Sequence, residues 1–304
     1  MKKYSISADE LKKYPAAELC KEIESNNLSV LMSLGADKLR KEMLPTGFIC
    51  RTLVNAICKG NVQSFRKRAC RLLRAIAPAE LTEGFPNANA SIAAGFNHPS
   101  LGEIFRLLYL GFEAWPDRHF LFPVNLPWYE TLTPVIPKLD ILGVSIMPMI
   151  TPSTERKLKE QFKDDPDKLD SIQSLKVLFE RRYMRCAKEQ ADGRLVIFVA
   201  PSATRQASVF ESEEASRGEG HIHPTMTLLA HMMQKGSCKE LLFIPITIFE
   251  PKKNNRKLNL FKNYVISPCK AFDTEEIASL SSDQKRELDY LFLKRIEERY
   301  KDRP

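Results

Sequence analysis

The sequence predicts an α/β fold, a mixed and largely buried sheet flanked by helices, with an N-terminal helical region. Three observations carry that expectation. From Ser91 onward, apolar runs of strand length alternate with helical patterns. Residues 8–79 read as helix throughout, and "APAELTEGFPNANA" between the two regions is rich in Pro, Asn and Gly. Alternation of this kind is what a sheet covered by crossover helices requires, and the Pro/Asn/Gly cluster marks a boundary. The expected division is therefore a basic helical region over 1–80 and an α/β domain over 81–304.

In the first region, "SADELKKYPAAELCKEI" and "GADKLRKEML" carry caps and helix formers. Gln63–Ile76 places Phe65, Ala69, Leu72, Leu73 and Ile76 on one helical face. In the second region, the expected strands are Ser91–Phe96, His119–Val124, Gly143–Ile150, Arg194–Ala200 and Leu241–Phe249. The expected helices are Pro99–Ala114, Leu126–Lys138, Ser153–Phe162, Lys168–Ala191, Pro224–Gln234 and Ser282–Tyr300. The last opens on a capping-box pattern, Ser281 to Gln284. "KEQFKDDPDKLDS" and "FEPKKNNRKLN" read as solvated loops, and no internal repeat or low-complexity segment is present.

Composition narrows the function classes. The chain is 43% hydrophobic and 28% charged, which describes an ordinary globular protein. No apolar run reaches the ~18–20 residues of a membrane span. The segment "MKKYSISADELKKY" has lysines but no apolar stretch behind them, so no signal peptide is expected. The seven cysteines, Cys20, Cys50, Cys58, Cys70, Cys186, Cys238 and Cys269, are odd in number and include no CxxC pair. That pattern suits reduced thiols in a cytoplasmic protein. His221, His223 and His231 have no Cys or acidic set nearby to complete a metal site, so they read as loop histidines at a helix start. Trp128 and Tyr129 in "FPVNLPWYETL" read as the apolar anchor of the following helix, or as the wall of an acyl path.

The charge is unevenly spread. Residues 1–80 hold 15 Lys/Arg against 8 Asp/Glu, whereas the rest hold 31 against 30. Arg66, Lys67, Arg68, Arg71 and Arg74 follow one another with no acid between them. Such a stretch points to a polyanion or an anionic membrane surface met through residues 61–78, or to a solvated helix face. No recognised reader motif and no aromatic–basic interleaving supports nucleic acid.

Three stretches carry candidate chemistry. In "FNHPSLGEIFRL", His98 follows an apolar run and precedes Pro99, a natural first helical residue. Glu103 lies five positions on, expected just over one turn into the helix. A carboxylate there can hold one imidazole tautomer and stabilise the protonated ring, letting His98 take a proton from a hydroxyl. The pair also reads as a helix cap with an acid favouring the dipole. In "RLVIFVAPSATRQ", a strand runs into Pro201, small Ser202, Ala203 and Thr204, then Arg205. Small residues admit a ligand close to backbone amides, and an arginine can grip phosphate bidentately; an ordinary strand–turn is the plainer reading. In "LLFIPITIF", a buried strand contains Pro245, which is expected at an edge, a bulge or a channel wall.

Together and in this order the three resemble the glycerolipid acyltransferase family, with its NH-x4-D block, its FPEGTR-like block and its later VP-type strand. Asn97-His98 with Glu103 resembles the first, Glu standing where Asp is usual. Pro201, Thr204 and Arg205 resemble the second, with Ser202 and Ala203 in place of Glu and Gly. Ile244–Ile248 resembles the third. "APSATR" is most similar to the "APSGGR" of soluble plastid-type glycerol-3-phosphate acyltransferases, which also carry an N-terminal helical domain. In those enzymes a second basic residue follows the arginine, where this chain has Ala207. Their lysine/histidine cluster is also absent, and "LGVSIMPMITPSTERK" offers Arg156 and Lys157 a few residues late.

The resemblance covers about residues 90–250. It implies transfer of a fatty acyl group from acyl-CoA or acyl-carrier protein to the hydroxyl of a glycerol-phosphate or lysophospholipid-like acceptor. His98 would be the general base and Glu103 its orienting acid. Asn97, Ser202, Thr204, Arg205, Arg156 and Lys157 would be the substrate-binding residues. It implies direct transfer without cofactor or metal, by a cytoplasmic protein that sits peripherally on a membrane. Lipid A-like or other lipid acyl transfer, and a non-catalytic lipid-binding relative, are the alternatives.

Overall fold

The computed structural model describes residues 48–56, 62–86, 90–97, 102–140, 142–189, 194–200, 226, 241–250, 260–272, 274–281, 283 and 287–302. A helical segment over 48–56 is followed by α1 (Val62–Ile76), β1 (Ala79–Leu81), β2 (Ser91–Phe96) and α2 (Glu103–Ala114). Next come β3 (His119–Asn125), α3 (Leu126–Leu132), a 3-10 turn (Thr133–Val135), α4 (Ile136–Asp140) and β4 (Val144–Met149). Then follow α5 (Pro152–Gln161), α6 (Pro166–Glu189), β5 (Leu195–Val199), β6 (Leu241–Phe249), β7 (Tyr264–Pro268), α7 (Thr274–Ser279) and α8 (Leu288–Lys301). The seven strands form one mixed sheet in the order β1, β7, β6, β2, β5, β3, β4, flanked by helices as expected.

The strands at the centre are the continuous apolar runs of the sequence. Every residue of β2 and of β5 is buried, as parallel strands covered on both faces must be. β2 pairs in parallel with β5 on one side and with β6 on the other. β6 pairs antiparallel with β7, which makes the sheet mixed.

Pro245 corrects part of an expectation, because it lies inside an interior strand in continuous register rather than at an edge or bulge. Its carbonyl accepts the Cys269 amide at 2.8 Å. Since a strand residue's N–H and C=O point to the same edge, the missing donor also faces Cys269. Cys269 lies just beyond β7, so the ladder to β2 loses nothing. Pro148, by contrast, sits in β4 at the end of the sheet order, where proline is ordinarily found.

By contact density the chain divides into two compact units, one of residues 1–66 and 121–186, the other of 67–120 and 187–304. In the first, Leu126, Ile150, Leu175 and Phe179 form a buried cluster, with Met149 and Leu178 packed against it. The helix expected over Leu126–Lys138 is broken there into two helices and a 3-10 turn, because Pro134 and Pro137 each remove a donor. In the second unit, Trp115, Phe120 and Phe198 are buried together, with centroids 6.1–6.2 Å apart.

β1, β7 and α7 are additions to the expected elements. Ala79–Leu81 pairs in parallel with Tyr264–Ile266, so the Pro/Asn/Gly-rich boundary begins with a strand. The last helix starts at Leu288 rather than Ser282. Of the helix expected over Pro224–Gln234 only Met226 is described, and it is helical. No described helix is long and apolar enough to cross a membrane.

Candidate functional site

The site grows from the C-terminal end of β2. "SIAAGF" is small enough for close cover by α8. A Cβ added at Gly95 would stand 2.6 Å from Phe292 Cδ1 and 2.7 Å from Met226 Cε. Phe292 has little room to yield, being stacked on Phe272 at 5.3 Å and edge-on to Phe243 at 5.9 Å. Glycine is thus what lets this strand end lie under α8.

Asn97 follows directly and is 1% exposed. Its Nδ2 donates to the Ile248 carbonyl at 3.0 Å, and its Oδ1 accepts the Ile248 amide at 2.7 Å. The side chain thereby continues the sheet as a backbone amide would, each bond contributing about 1 kcal/mol. The structure uses Asn97 to tie the end of β2 to β6, whereas the sequence reading placed it among the substrate contacts. His98 is the next residue in the chain; it and Pro99–Leu101 lie outside the described residues.

α2 begins at Glu103, so the acid is the first helical residue rather than a residue one turn in. The N-cap Gly102 is already in a helical conformation and supplies no side-chain bond. A negative charge suits this end of the helix. Yet Glu103 is 1% exposed, where a merely dipole-favouring acid would face water. Three positions on, Arg106 is fully buried. Its guanidinium lies 3.7 Å from the centroid of the Tyr264 ring, and Nη2 donates to the Lys262 carbonyl at 3.2 Å. Burial lowers the guanidinium's pKa, while Tyr264 and then Glu103 push it back up. Sequence reasoning passed over Arg106; the signal was a lone cation within the apolar run "EIFRLLYLGF".

The sheet register sets β6 and the strands that precede the other two motifs, β2 and β5, side by side. Gly95 is paired with Val199 of β5 and with Pro245 of β6, and Phe96 with Ile246. All three strands run parallel, so the chain leaves β2 toward His98 and leaves β5 toward Pro201 at one edge of the sheet. In parallel sheets that edge is where ligands bind. Ser202, Thr204 and Arg205, like His221, His223 and His231, lie outside the described residues. Arg156 and Lys157 are exposed on α5, in the other unit. No group of His, Cys, Asp or Glu among the described residues could hold a metal ion. Cys50 and Cys269 are free thiols, and burial pushes Cys50 up to about 12.

No protein-family model and no curated protein matches the chain.

Proposed function

We propose that the chain is an acyltransferase, moving a fatty acyl group from acyl-CoA or acyl-carrier protein to a glycerol-phosphate or lysophospholipid-like hydroxyl. The observation that carries the reading is the parallel adjacency of β6, β2 and β5, the strands that carry or precede the three motifs, together with the burial of Glu103. That burial favours the catalytic reading over lipid binding alone, because a carboxylate withdrawn from water is costly to keep without a partner.

In the proposed reaction His98 accepts the acceptor's hydroxyl proton as the oxygen attacks the thioester carbonyl. The new C–O bond forms, the tetrahedral intermediate collapses with loss of the C–S bond, and the imidazolium returns its proton to the leaving thiolate. Glu103 orients the imidazole. Backbone amides near Ser202–Thr204 stabilise the oxyanion, and Arg205 grips acceptor phosphate. Arg156 and Lys157 are weaker candidates for the acceptor, since both belong to an exposed helix surface. No cofactor is required, since the acyl donor is itself a substrate.

The α1 helix supports a peripheral membrane site for the same reaction. Ala69, Leu73 and Ile76 are buried, while Lys67, Arg68, Arg71 and Arg74 are exposed. Such a face would draw a cytoplasmic protein to anionic lipid, each cation contributing ~1 kcal/mol near the surface. The deciding experiment is an acyl-CoA assay against lysophosphatidate, glycerol-3-phosphate and lysophospholipids. Wild type is expected to turn over one of these acceptors, and His98→Ala to lose at least ~10³-fold in kcat. Equal activity in both proteins, or none in either, would sink the mechanism.

A further inference from the structure

Phe261 stands where neither solvent nor backbone gives a phenylalanine any advantage. It is 71% exposed, in the turn just before β7. Among the described residues it is the one non-glycine with a left-handed φ, 61°. That conformation suits glycine or asparagine and is unfavourable for a bulky side chain. A lone exposed apolar residue needs no explanation. One held in a disfavoured conformation does, because such strain collects where function uses it.

The turn is pinned on both sides. The Phe261 amide donates to the Ile76 carbonyl at 2.7 Å, at the end of α1. The Lys262 carbonyl accepts Arg106 Nη2 at 3.2 Å, and the Tyr264 amide donates to the Pro78 carbonyl at 3.1 Å. Phe261 is therefore fixed beside the last turn of α1. On that helix Lys67, Arg71 and Arg74 recur at i, i+4 and i+7 and are all exposed, so they form one row. The two segments that meet here, 61–79 and 251–272, hold five and six Lys/Arg respectively and no Asp or Glu. The register places this surface on the sheet. β7 runs antiparallel to β6 with Val265 opposite Phe249, so its start lies at the C-terminal end of β6. β2 ends at the same edge, since Phe96 pairs with Ile246 and Asn97 bonds to Ile248.

We propose that this turn and the cationic row beside it dock the protein on an anionic bilayer. Phe261 inserts at the acyl-chain boundary, while Lys67, Arg71 and Arg74 meet the headgroups. An apolar ring flanked by cations is the chemistry that such an interface selects. Docking there turns toward the lipid the edge at which the chain leaves β2. The inference deepens the membrane reading of α1 and does not depend on acyl transfer. Nucleic acid would meet the same cations, but one ring without further aromatics is a poor stacking platform.

The test is co-sedimentation of the full chain with vesicles of phosphatidylcholine, alone or mixed in equal parts with phosphatidylglycerol. Wild type is compared with Phe261→Asn, Phe261→Trp and the double variant Arg71→Gln/Arg74→Gln. Wild type is expected to bind the mixed vesicles and to leave the neutral ones. Phe261→Asn should partition about 10-fold less, the scale of one aromatic side chain returned to water. It should melt no lower than wild type, because asparagine accepts a left-handed φ. The double variant should lose about 20-fold at low salt, roughly 5-fold per cation, and the loss should fade at about 1 M salt. Phe261→Trp should bind as wild type does, and the fluorescence it adds should be quenched by lipids brominated on the acyl chain. Wild type that ignores both vesicles defeats the membrane reading of α1 and the inference together. Wild type that binds, with Phe261→Asn binding equally or Phe261→Trp unquenched, defeats the insertion alone. Should Phe261→Asn fail to fold, the quenching of Phe261→Trp decides. Equal binding to neutral vesicles, tighter salt-sensitive binding to DNA or RNA, or a dimer that Phe261→Asn dissociates would each overturn the proposal.

Discussion

The junctions from β2 into α2 and from β4 into α5 both lead from strand to helix, and the two helix starts are built differently. α5 opens as an unremarkable helix would. Thr151 is extended at the N-cap, Pro152 occupies the first turn, and the largely covered Glu155 is paired with Lys159 at 2.7 Å and Lys176 at 2.8 Å. Neither helix has a side-chain cap bond, but α2 has no proline in its first turn, and its first-turn acid is buried one turn before a buried arginine. The α5 arrangement stabilises a helix cheaply; the α2 arrangement desolvates two charges where none is needed for folding. Expense of that kind is what functional constellations show, since pairs of charged groups are held there against the preference for water.

The sharpest way to break this contrast is to remove each acid in turn. Glu103→Gln is expected to lower kcat about 100-fold with little change in KM. Glu103→Asp, which restores the shorter acid of the resembled family, should keep most of the activity. Glu155→Gln should leave kcat unchanged and cost about 0.5 kcal/mol of stability, the scale of a partly exposed ion pair. Hydrogen bonds from Lys159 and Lys176 hold the Glu155 carboxyl below its usual value. Its contribution is therefore present at neutral pH and lost as pH falls below the ordinary glutamate range. Melting of wild type and Glu155→Gln at pH 7 and pH 3 checks the sign, and a gap that widens at pH 3 would contradict it. Comparable losses of kcat in Glu103→Gln and Glu155→Gln would erase the distinction between the two junctions.

The next effect concerns the strand end that presents the site. Gly95→Ala would force the Phe292 ring or the Met226 methyl away from contacts of 2.6–2.7 Å. Overpacking of this kind costs about 1–3 kcal/mol. A melting temperature lowered together with kcat would show that β2 and α8 set the geometry, whereas an unchanged melting temperature would show that the gap closes without strain.

What the sequence discloses depends on whether a residue's surroundings are local. β2 and β6 are found with the limits expected of them, and β5 to within a residue, because runs such as "SIAAGF" and "LVIFV" have no other stable home than a covered sheet. β1 and β7 were missed because "AEL" and "YVISP" acquire strand character only by pairing with each other across the chain. The same limit applies to the site. The proposed pairing of His98 with Glu103 rests on a five-residue spacing readable in the sequence, but the sheet-continuing role of Asn97 needs Ile248, 151 positions away. Arg106 needs Tyr264 and Lys262, so by local pattern it is only an outlier on an apolar face. The start of α2 at Glu103 was misjudged because Pro99 is a strong local signal for a helix start.

Asp140, half-buried with its Oδ1 enclosed, tests whether partial burial of an acid is sufficient to mark a site. It ends α4, its Oδ1 has no hydrogen-bond partner among the described residues, and burial pushes its carboxyl from an ordinary 3.8 up to about 7. Among the described residues no cation acts on its carboxyl, whereas Glu103 acts on Arg106. With the folded value raised, its contribution to stability is full below the ordinary aspartate range and is lost as pH climbs toward 7. Asp140→Asn removes that loss. The variant should melt about 2–4 °C above wild type at pH 8 and level with it near pH 4, with kcat unchanged. If kcat falls instead, a buried acid without a cation is also functional, and compensation by arginine ceases to be what sets Glu103 apart. If the melting gap has the opposite sign, the Asp140 carboxylate has a stabilising partner, and burial without compensation is the wrong description of α4.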